Sequence, residues 1–269
     1  MPVIYDTIGD TYSHTRRPDE RIANRIVQLL ALPHGARVLD IGAGTGSYSL
    51  GLADRGFDVT AVEPSTLMSA QASPHSRVSW VTASAESLPF DSSSFDAAIM
   101  VLAIHHFADR KQAFSEARRV VNHGPILIFT YDPSAIDGPW LFEYFPEFRA
   151  QIETVFPSTD HIISSLSSRG EVSSHPFPLP HDLKDAFAGA AWRDPERYLD
   201  KSFRDGTSAF RILDPEIIKV RLERLRSDLG SGEWDKRYSY VRSLNEYDHG
   251  YTFIVANGEQ TGATNPPRS

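Results

Sequence analysis

A short apolar run, Arg37-Val38-Leu39-Asp40-Ile41, leads into the stretch Gly42-Ala43-Gly44-Thr45-Gly46, and seventeen residues after Gly46 a second run, Val59-Thr60-Ala61-Val62, ends on Glu63. Glycines at 42, 44 and 46 remove Cβ atoms that would hold a ligand off the backbone, and they permit the positive φ values of a tight strand-to-helix turn. An acid at the end of the neighbouring strand can accept hydrogen bonds from both hydroxyls of a ribose. Together these residues predict a nucleoside-containing cofactor.

The glycine spacing narrows the choice. A dinucleotide fingerprint reads G-x-G-x-x-G or G-x-G-x-x-A, whereas here G-x-G-x-G is followed by Ser47, so the third small residue comes one position early. Asp40, an acid on the turn itself, would repel a diphosphate and suits a cationic ligand end. S-adenosylmethionine offers an ammonium, a sulfonium and a ribose. At this point the sequence resembles the class I S-adenosylmethionine-dependent methyltransferases, and within them the ubiquinone-biosynthesis-type small-molecule enzymes with a methyltransferase domain 11-like core. Glu63-Pro64-Ser65-Thr66-Leu67-Met68 is similar to the family's second-strand motif, an acid for the ribose followed by a helix carrying a Met near the adenine. Val81-Thr82-Ala83-Ser84-Ala85-Glu86-Ser87-Leu88-Pro89-Phe90 resembles the segment written G-D-A-E-x-L-P-F, and Phe95 to Val101 resembles the fourth strand. The family commonly has Asp where this chain has Ser84, so a hydrogen bond from the adenine amino group would meet a neutral partner here, or another residue.

The resemblance implies a donor site made of Asp40, Gly42, Ala43, Gly44, Gly46, Glu63, Pro64, Met68, Ser84, Ala85, Glu86 and Leu102, with Tyr12 from an N-terminal lid over the methionine end. His105 and His106 follow the fourth strand and would face the transferred methyl, so one imidazole could orient or deprotonate an acceptor. The plainer alternative is a loop histidine that caps the next helix or packs beneath the adenosine. Arg16 could grip an acidic acceptor by a bidentate contact, although a flexible arm with solvated arginines accounts for the same letters. His181, at the entry to an expected helix capped by Asp182, is a further acceptor-side candidate. Trp140, Tyr144 and Trp192 would line a cap pocket for an aromatic or apolar acceptor, although such a stripe is more often core. Transfer from a sulfonium is an in-line displacement that needs alignment and water exclusion first and a base only for some acceptors, so no dyad is compulsory.

These residues need a scaffold that brings strand ends together. Strand-like runs at 37–41, 58–62, 77–81, 95–101 and 124–131 alternate with helical patterns, beginning with Asp19 to Leu30, and imply right-handed βαβ units in a mostly parallel, doubly wound Rossmann-like sheet. Ligands of such sheets lie beyond the carboxyl ends of the strands, where Asp40, Glu63, Ser84 and Leu102 all fall. After Asp132 the chain turns aromatic and proline-rich. The reading is an S-adenosylmethionine-binding core with lid over 1–132, helical cap insertions over 133–248 interrupted by a core strand near 172–179, an antiparallel last strand over 249–257 and a polar tail over 258–269. Within the cap, helices are expected over Leu183 to Trp192, Pro195 to Phe203 and Pro215 to Leu229, the last with a solvated, paired charge face.

Composition removes several classes. A formal net charge of -8 gives no footprint for nucleic acid. The chain has no cysteine, which rules out disulfides, thiolate metal sites and a cysteine nucleophile. No apolar run is long enough to span a bilayer and the N-terminal residues lack the character of a secretory signal, so a cytoplasmic location and no membrane partner are expected. Function therefore reads as methyl transfer from S-adenosylmethionine to an oxygen, nitrogen or carbon of a small molecule. The rival readings are a non-catalytic module that binds the same cofactor and a nicotinamide-dependent oxidoreductase.

Overall fold

The first helix is started by a buried acid. Asp19 accepts a hydrogen bond from the Arg21 amide and caps α1 (Glu20–Leu30), whose Ile22, Ala23, Ile26 and Leu30 form one buried stripe. The computed structural model describes residues 17–121, 123–135, 140–167 and 170–258. Its central sheet is built from β1 (Arg37–Ile41), β2 (Asp58–Val62), β3 (Val78–Val81), β4 (Ala97–Val101), β5 (Ile126–Tyr131), β6 (Val172–Pro176) and β9 (Tyr251–Ala256). The first five run parallel, β9 is antiparallel between β5 and β6, and the order is β3-β2-β1-β4-β5-β9-β6. Direction of winding reverses between β1 and β4, which makes their carboxyl ends the crevice of the fold.

Strands with both faces covered must be apolar on both. Val38, Ile99, Phe129 and Phe253 face α1 and α2 (Ser47–Ala53), while Leu39, Ala98, Ile128 and Ile254 face α4 (Arg110–Val121), with α3 (Thr66–Ser69) lying between β2 and β3. The first apolar layer continues without a break into the cap. It takes in α5 (Leu141–Tyr144), α6 (Glu147–Val155), α10 (Pro215–Ser231) and α11 (Glu233–Tyr238) through Phe145, Phe148, Leu225 and Trp234. In contrast α7 (Thr159–Leu166) returns to the opposite face beside α4 through Ile162 and Leu166.

Strands β3, β4 and β5 begin one or two residues later than expected. Before β4, Asp96 accepts from the Arg37 amide at 2.8 Å and pairs with its guanidinium at 2.9 Å, pinning β4 to β1 at the edge away from the crevice. The expected helix over Leu183 to Trp192 does not form. Residues 182–185 are taken by tertiary partners instead: Arg21 pairs with Asp182, the Lys184 amide donates to Asp19 at 2.9 Å, and Tyr48 donates to Asp185 at 2.9 Å. Gly189 then lies so close to Leu179 and Tyr251 that a Cβ would sit 3.0 Å from the Tyr251 ring. Asp182 is thus an ion-pair partner and not a helix cap. The 195–203 segment splits into a 3-10 turn, Pro195–Leu199, and α8 (Lys201–Asp205), followed by α9 (Ser208–Ile212). A short ribbon, β7 (Leu179–Pro180) against β8 (Glu246–Tyr247), closes the cap. Arginines on α10 find partners across the cap, Arg221 with Glu147 and Arg224 with Glu143, more than along their own helix.

Arg118, buried on α4, donates to the carbonyls of Gly124 at 2.7 Å and Ala256 at 2.8 Å and so joins the start of β5 to the end of β9. Replacing Arg118 with Met leaves both carbonyls without this cation, and denaturant titration should show stability lower by about 3 kcal/mol.

Candidate active site

The glycine turn is held by the neighbouring strand. The amides of Gly42 and Ala43 both donate to the Val62 carbonyl, at 2.9 and 3.0 Å, and the Gly46 amide closes onto Ala43 before α2 begins. Two of the three glycines serve the protein's own packing: a Cβ on Gly42 would lie 2.7 Å from the Ala103 Cβ, and one on Gly46 would lie 2.6 Å from the Trp80 ring. Gly44 differs. Its φ is +59°, and among the described residues a Cβ there would meet only the Met68 methyl, at 3.6 Å. Gly44 is therefore where the turn lies open, and Met68, buried below it, supplies an apolar floor.

Glu63 follows β2 and is buried. One oxygen accepts from the Gly44 amide at 2.9 Å and the other from the Ser65 amide at 2.9 Å. An ionised carboxylate has about four lone-pair sites, so two amides and two ribose hydroxyls lie within its capacity. Asp40 sits on β1 behind the turn, buried, and accepts from the Ser49 hydroxyl at 2.5 Å. Burial raises its carboxyl to about 7, the Ser49 bond pulls the other way, and the nearby charge of Glu63 adds to the rise. The charges gathered at this turn are thus two acids, which suit an ammonium and a ribose and oppose a diphosphate.

Around the same edge, Pro64 is exposed, Ser84 is exposed past the end of β3, and Ala85 is buried. Glu86 accepts from the Ala108 amide at 2.8 Å and from Asp109, which ties the Ser84 loop to the entry of α4. Leu102 ends β4 with φ +50°, a left-handed conformation that a branched residue adopts only under constraint, and its amide donates to the Phe129 carbonyl at 2.8 Å. That constraint throws Ile104–His106 into a 3-10 turn. His105 is half-buried, stacked on Phe156 at 4.3 Å and 3.8 Å from the ring of His106, which is exposed.

The cap aromatics sit elsewhere than the sequence suggests. Trp140, Tyr144 and Trp192 are all at most 2% exposed. Their polar atoms are spent inside the cap: Trp140 Nε1 donates to the Trp192 carbonyl at 2.9 Å, Trp192 Nε1 to the Leu179 carbonyl at 3.0 Å, and Tyr144 Oη to Asp228 at 2.7 Å. They are core and not pocket wall. His181 is exposed on the β7–β8 ribbon. Tyr12 and Arg16 lie outside the described residues. Sequence reasoning missed Tyr131 and His249, two buried polar residues at the same sheet edge. The signal was available for Tyr131, a tyrosine at the carboxyl end of an expected core strand.

A fold wound in this order, with its acids at the β1 and β2 ends, defines a nucleoside-cofactor protein of the Rossmann-like class. A methyltransferase-domain family model matches residues 39–129. A protein of Anabaena variabilis, described as a methyltransferase from an antibiotic biosynthesis pathway, is 43% identical with a TM-score of 0.86, over 90% of this chain and 99% of that one. The demethylmenaquinone methyltransferase of Paenarthrobacter aurescens is 32% identical over 189 residues, 62% of this chain and 73% of that one. A phosphoethanolamine N-methyltransferase of Haemonchus contortus, solved with S-adenosylhomocysteine bound, shares the fold at 17% identity and a TM-score of 0.60, over 96% of this chain and 58% of that one. The chain belongs to the S-adenosylmethionine-dependent methyltransferases. It is an enzyme whose methyl donor is S-adenosylmethionine, and the nicotinamide reading falls with the glycine spacing that first weakened it. Among the described residues no helix is long and apolar enough to cross a membrane.

Burial lowers the His249 imidazole to about 4. The unfolded chain then binds a proton between pH 6.5 and 4 that the folded chain refuses, so stability is whole above pH 6.5 and falls as pH drops through this window. His249→Gln should spare about 3 kcal/mol of that loss at pH 4, read as a flatter acid limb in thermal melts.

Proposed function

We propose that this methyltransferase acts on a small-molecule acceptor, at an oxygen, nitrogen or carbon atom, held where the cap meets the carboxyl ends of β4 and β5. The observation that carries the donor side is the Glu63 carboxylate bonded to the Gly44 amide beside the open face of the turn. S-adenosylmethionine, when bound, supplies an electrophilic methyl on its sulfonium. Glu63 takes the ribose hydroxyls, Met68 and Ala85 border the adenine, and Asp40 draws the ammonium end toward β1. Leu102, His105 and His106 border the methyl, and the ring stack of His105 on Phe156 sets where its imidazole points. Rate comes from aligning acceptor and methyl and from excluding water under the cap. The formal charge of -8 and the apolar continuity of sheet and cap favour a small, largely apolar acceptor over a nucleic acid.

Two expectations follow for the donor. Glu63→Ala should weaken S-adenosylhomocysteine binding by about 1.5–3 kcal/mol in calorimetry, the scale of hydrogen bonds to a charged group. An unchanged dissociation constant would place the ribose elsewhere. Asp40, raised to about 7, keeps its proton below that pH in the free protein. A bound ammonium favours the carboxylate, so binding should release a proton and tighten about tenfold from pH 6 to pH 8. Asp40→Asn should abolish that dependence. Turnover with a panel of phenols, amines and oxo acids tests the acceptor class, and methylation of none of them would count against it.

A further inference from the structure

Two buried polar side chains at the crevice edge lie outside the donor site assigned above. Tyr131 ends β5 and is 3% exposed, and His249, two residues before β9, is 2% exposed. Among the described residues neither the Tyr131 hydroxyl nor either ring nitrogen of His249 has a hydrogen-bond partner. Leaving such groups unpaired costs about 1–3 kcal/mol each, so their retention asks for a ligand or a structural reason.

The sheet register brings them together. Tyr131 pairs with Tyr251 across β5 and β9, the Asp132 amide donates to the Gly250 carbonyl at 2.8 Å, and the phenol and imidazole centroids are 6.4 Å apart. Because β9 is antiparallel, its beginning lies at the same edge as the end of β5. Aromatic rings enclose the pair: Phe142 lies 6.2 Å from the imidazole and Phe156 lies 5.7 Å from the phenol. Phe156 also stacks on His105, so a single ring separates Tyr131 from the loop that closes β4.

We propose that Tyr131 and His249 are the recognition site for the acceptor's polar group, and that the acceptor is a neutral aromatic ring bearing a hydroxyl. This rests on the small-molecule reading above. One hydroxyl can donate to the bare imidazole nitrogen while accepting from the tyrosine, and so meets both side chains at once. A carbonyl would accept from the phenol and leave the bare imidazole nitrogen without a donor, and an ammonium would carry a charge into a site whose burial keeps the imidazole neutral. A carboxylate would meet Asp132 and Asp248, which flank the two residues in sequence, while Arg149, the cation that acts on Tyr131, is exposed. Burial keeps the phenol protonated well above its ordinary range and the imidazole neutral at physiological pH, so donor and acceptor roles hold. The surrounding rings favour a flat apolar body for the ligand.

The test uses the full-length protein saturated with S-adenosylhomocysteine, with naphthol and its methyl ether as probes. These share a ring system, but the ether cannot donate. Naphthol should bind at least about tenfold more tightly than the ether. His249→Phe should reduce that preference to about threefold or less, and Tyr131→Phe, which removes the hydrogen that both probes accept, should weaken naphthol and ether alike by about threefold or more, while S-adenosylhomocysteine affinity stays within about twofold. Thermal melts and His249→Leu accompany them, and the wild-type comparison of the two probes stands even if a variant fails to fold. Equal binding of the two probes by the wild-type protein, a preference that survives in folded His249→Phe or His249→Leu, or unchanged binding of both probes to folded Tyr131→Phe overturns the proposal and leaves the pair a structural feature satisfied by water. Absence of S-adenosylhomocysteine binding by the wild-type protein would overturn the donor reading itself.

Discussion

Everything at this crevice depends on one carboxylate holding two loops. Glu63 bonds the Gly44 amide on the β1 side and the Ser65 amide on its own side, so the glycine turn and the acid beside it are positioned by the same contact. Around it, the Gly42 and Ala43 amides share the Val62 carbonyl, which fixes the turn to β2 whether or not a ligand is present. The turn is thereby pre-organised, and binding spends little on ordering it.

Behind the turn the electrostatics are set for a cation. Asp40 is buried beside Glu63, and two acids so close resist full ionisation until a positive group arrives. The same acids explain why a diphosphate is a poor fit. Toward β4, β5 and β9 the acids give way to hydrogen-bonding groups among rings, the phenol of Tyr131 and the imidazole of His249, which burial keeps uncharged, with Phe142 and Phe156. One edge of one sheet therefore offers a charged half at β1 and β2 and a neutral aromatic half at β4, β5 and β9. Cap and sheet share a continuous apolar layer, so the cap is positioned by the same burial that stabilises the core.

The core was legible in the sequence because fully buried parallel strands leave short apolar runs punctuated by turn residues, and five of them fall within two residues of their observed bounds. The glycine turn and Glu63 were legible for the same reason, since their spacing follows from strand and turn geometry. The cap was not. An alanine-rich stretch such as 183–192 looks helical, yet its Lys184 amide is claimed by Asp19 and its Asp185 carboxylate by Tyr48, while Arg21 holds Asp182 just before it, and these residues more than a hundred positions away are ones no local pattern reveals. Trp140, Tyr144 and Trp192 looked like pocket wall because composition cannot tell an aromatic that lines a cavity from one whose indole or phenol is bonded inside the core. His249 escaped notice although the last strand was expected to run antiparallel, because a loop residue just before a strand follows no periodic pattern that tells a buried side chain from a solvated one.

The central claim is that Glu63 clasps the donor's ribose across the open Gly44 turn. A crystal structure with S-adenosylhomocysteine tests it directly. The account predicts both ribose hydroxyls within hydrogen-bonding distance of the Glu63 carboxylate, with the amino group toward Asp40. A ligand bound with its ribose away from Glu63, or a crevice that stays empty at saturating ligand, would contradict it.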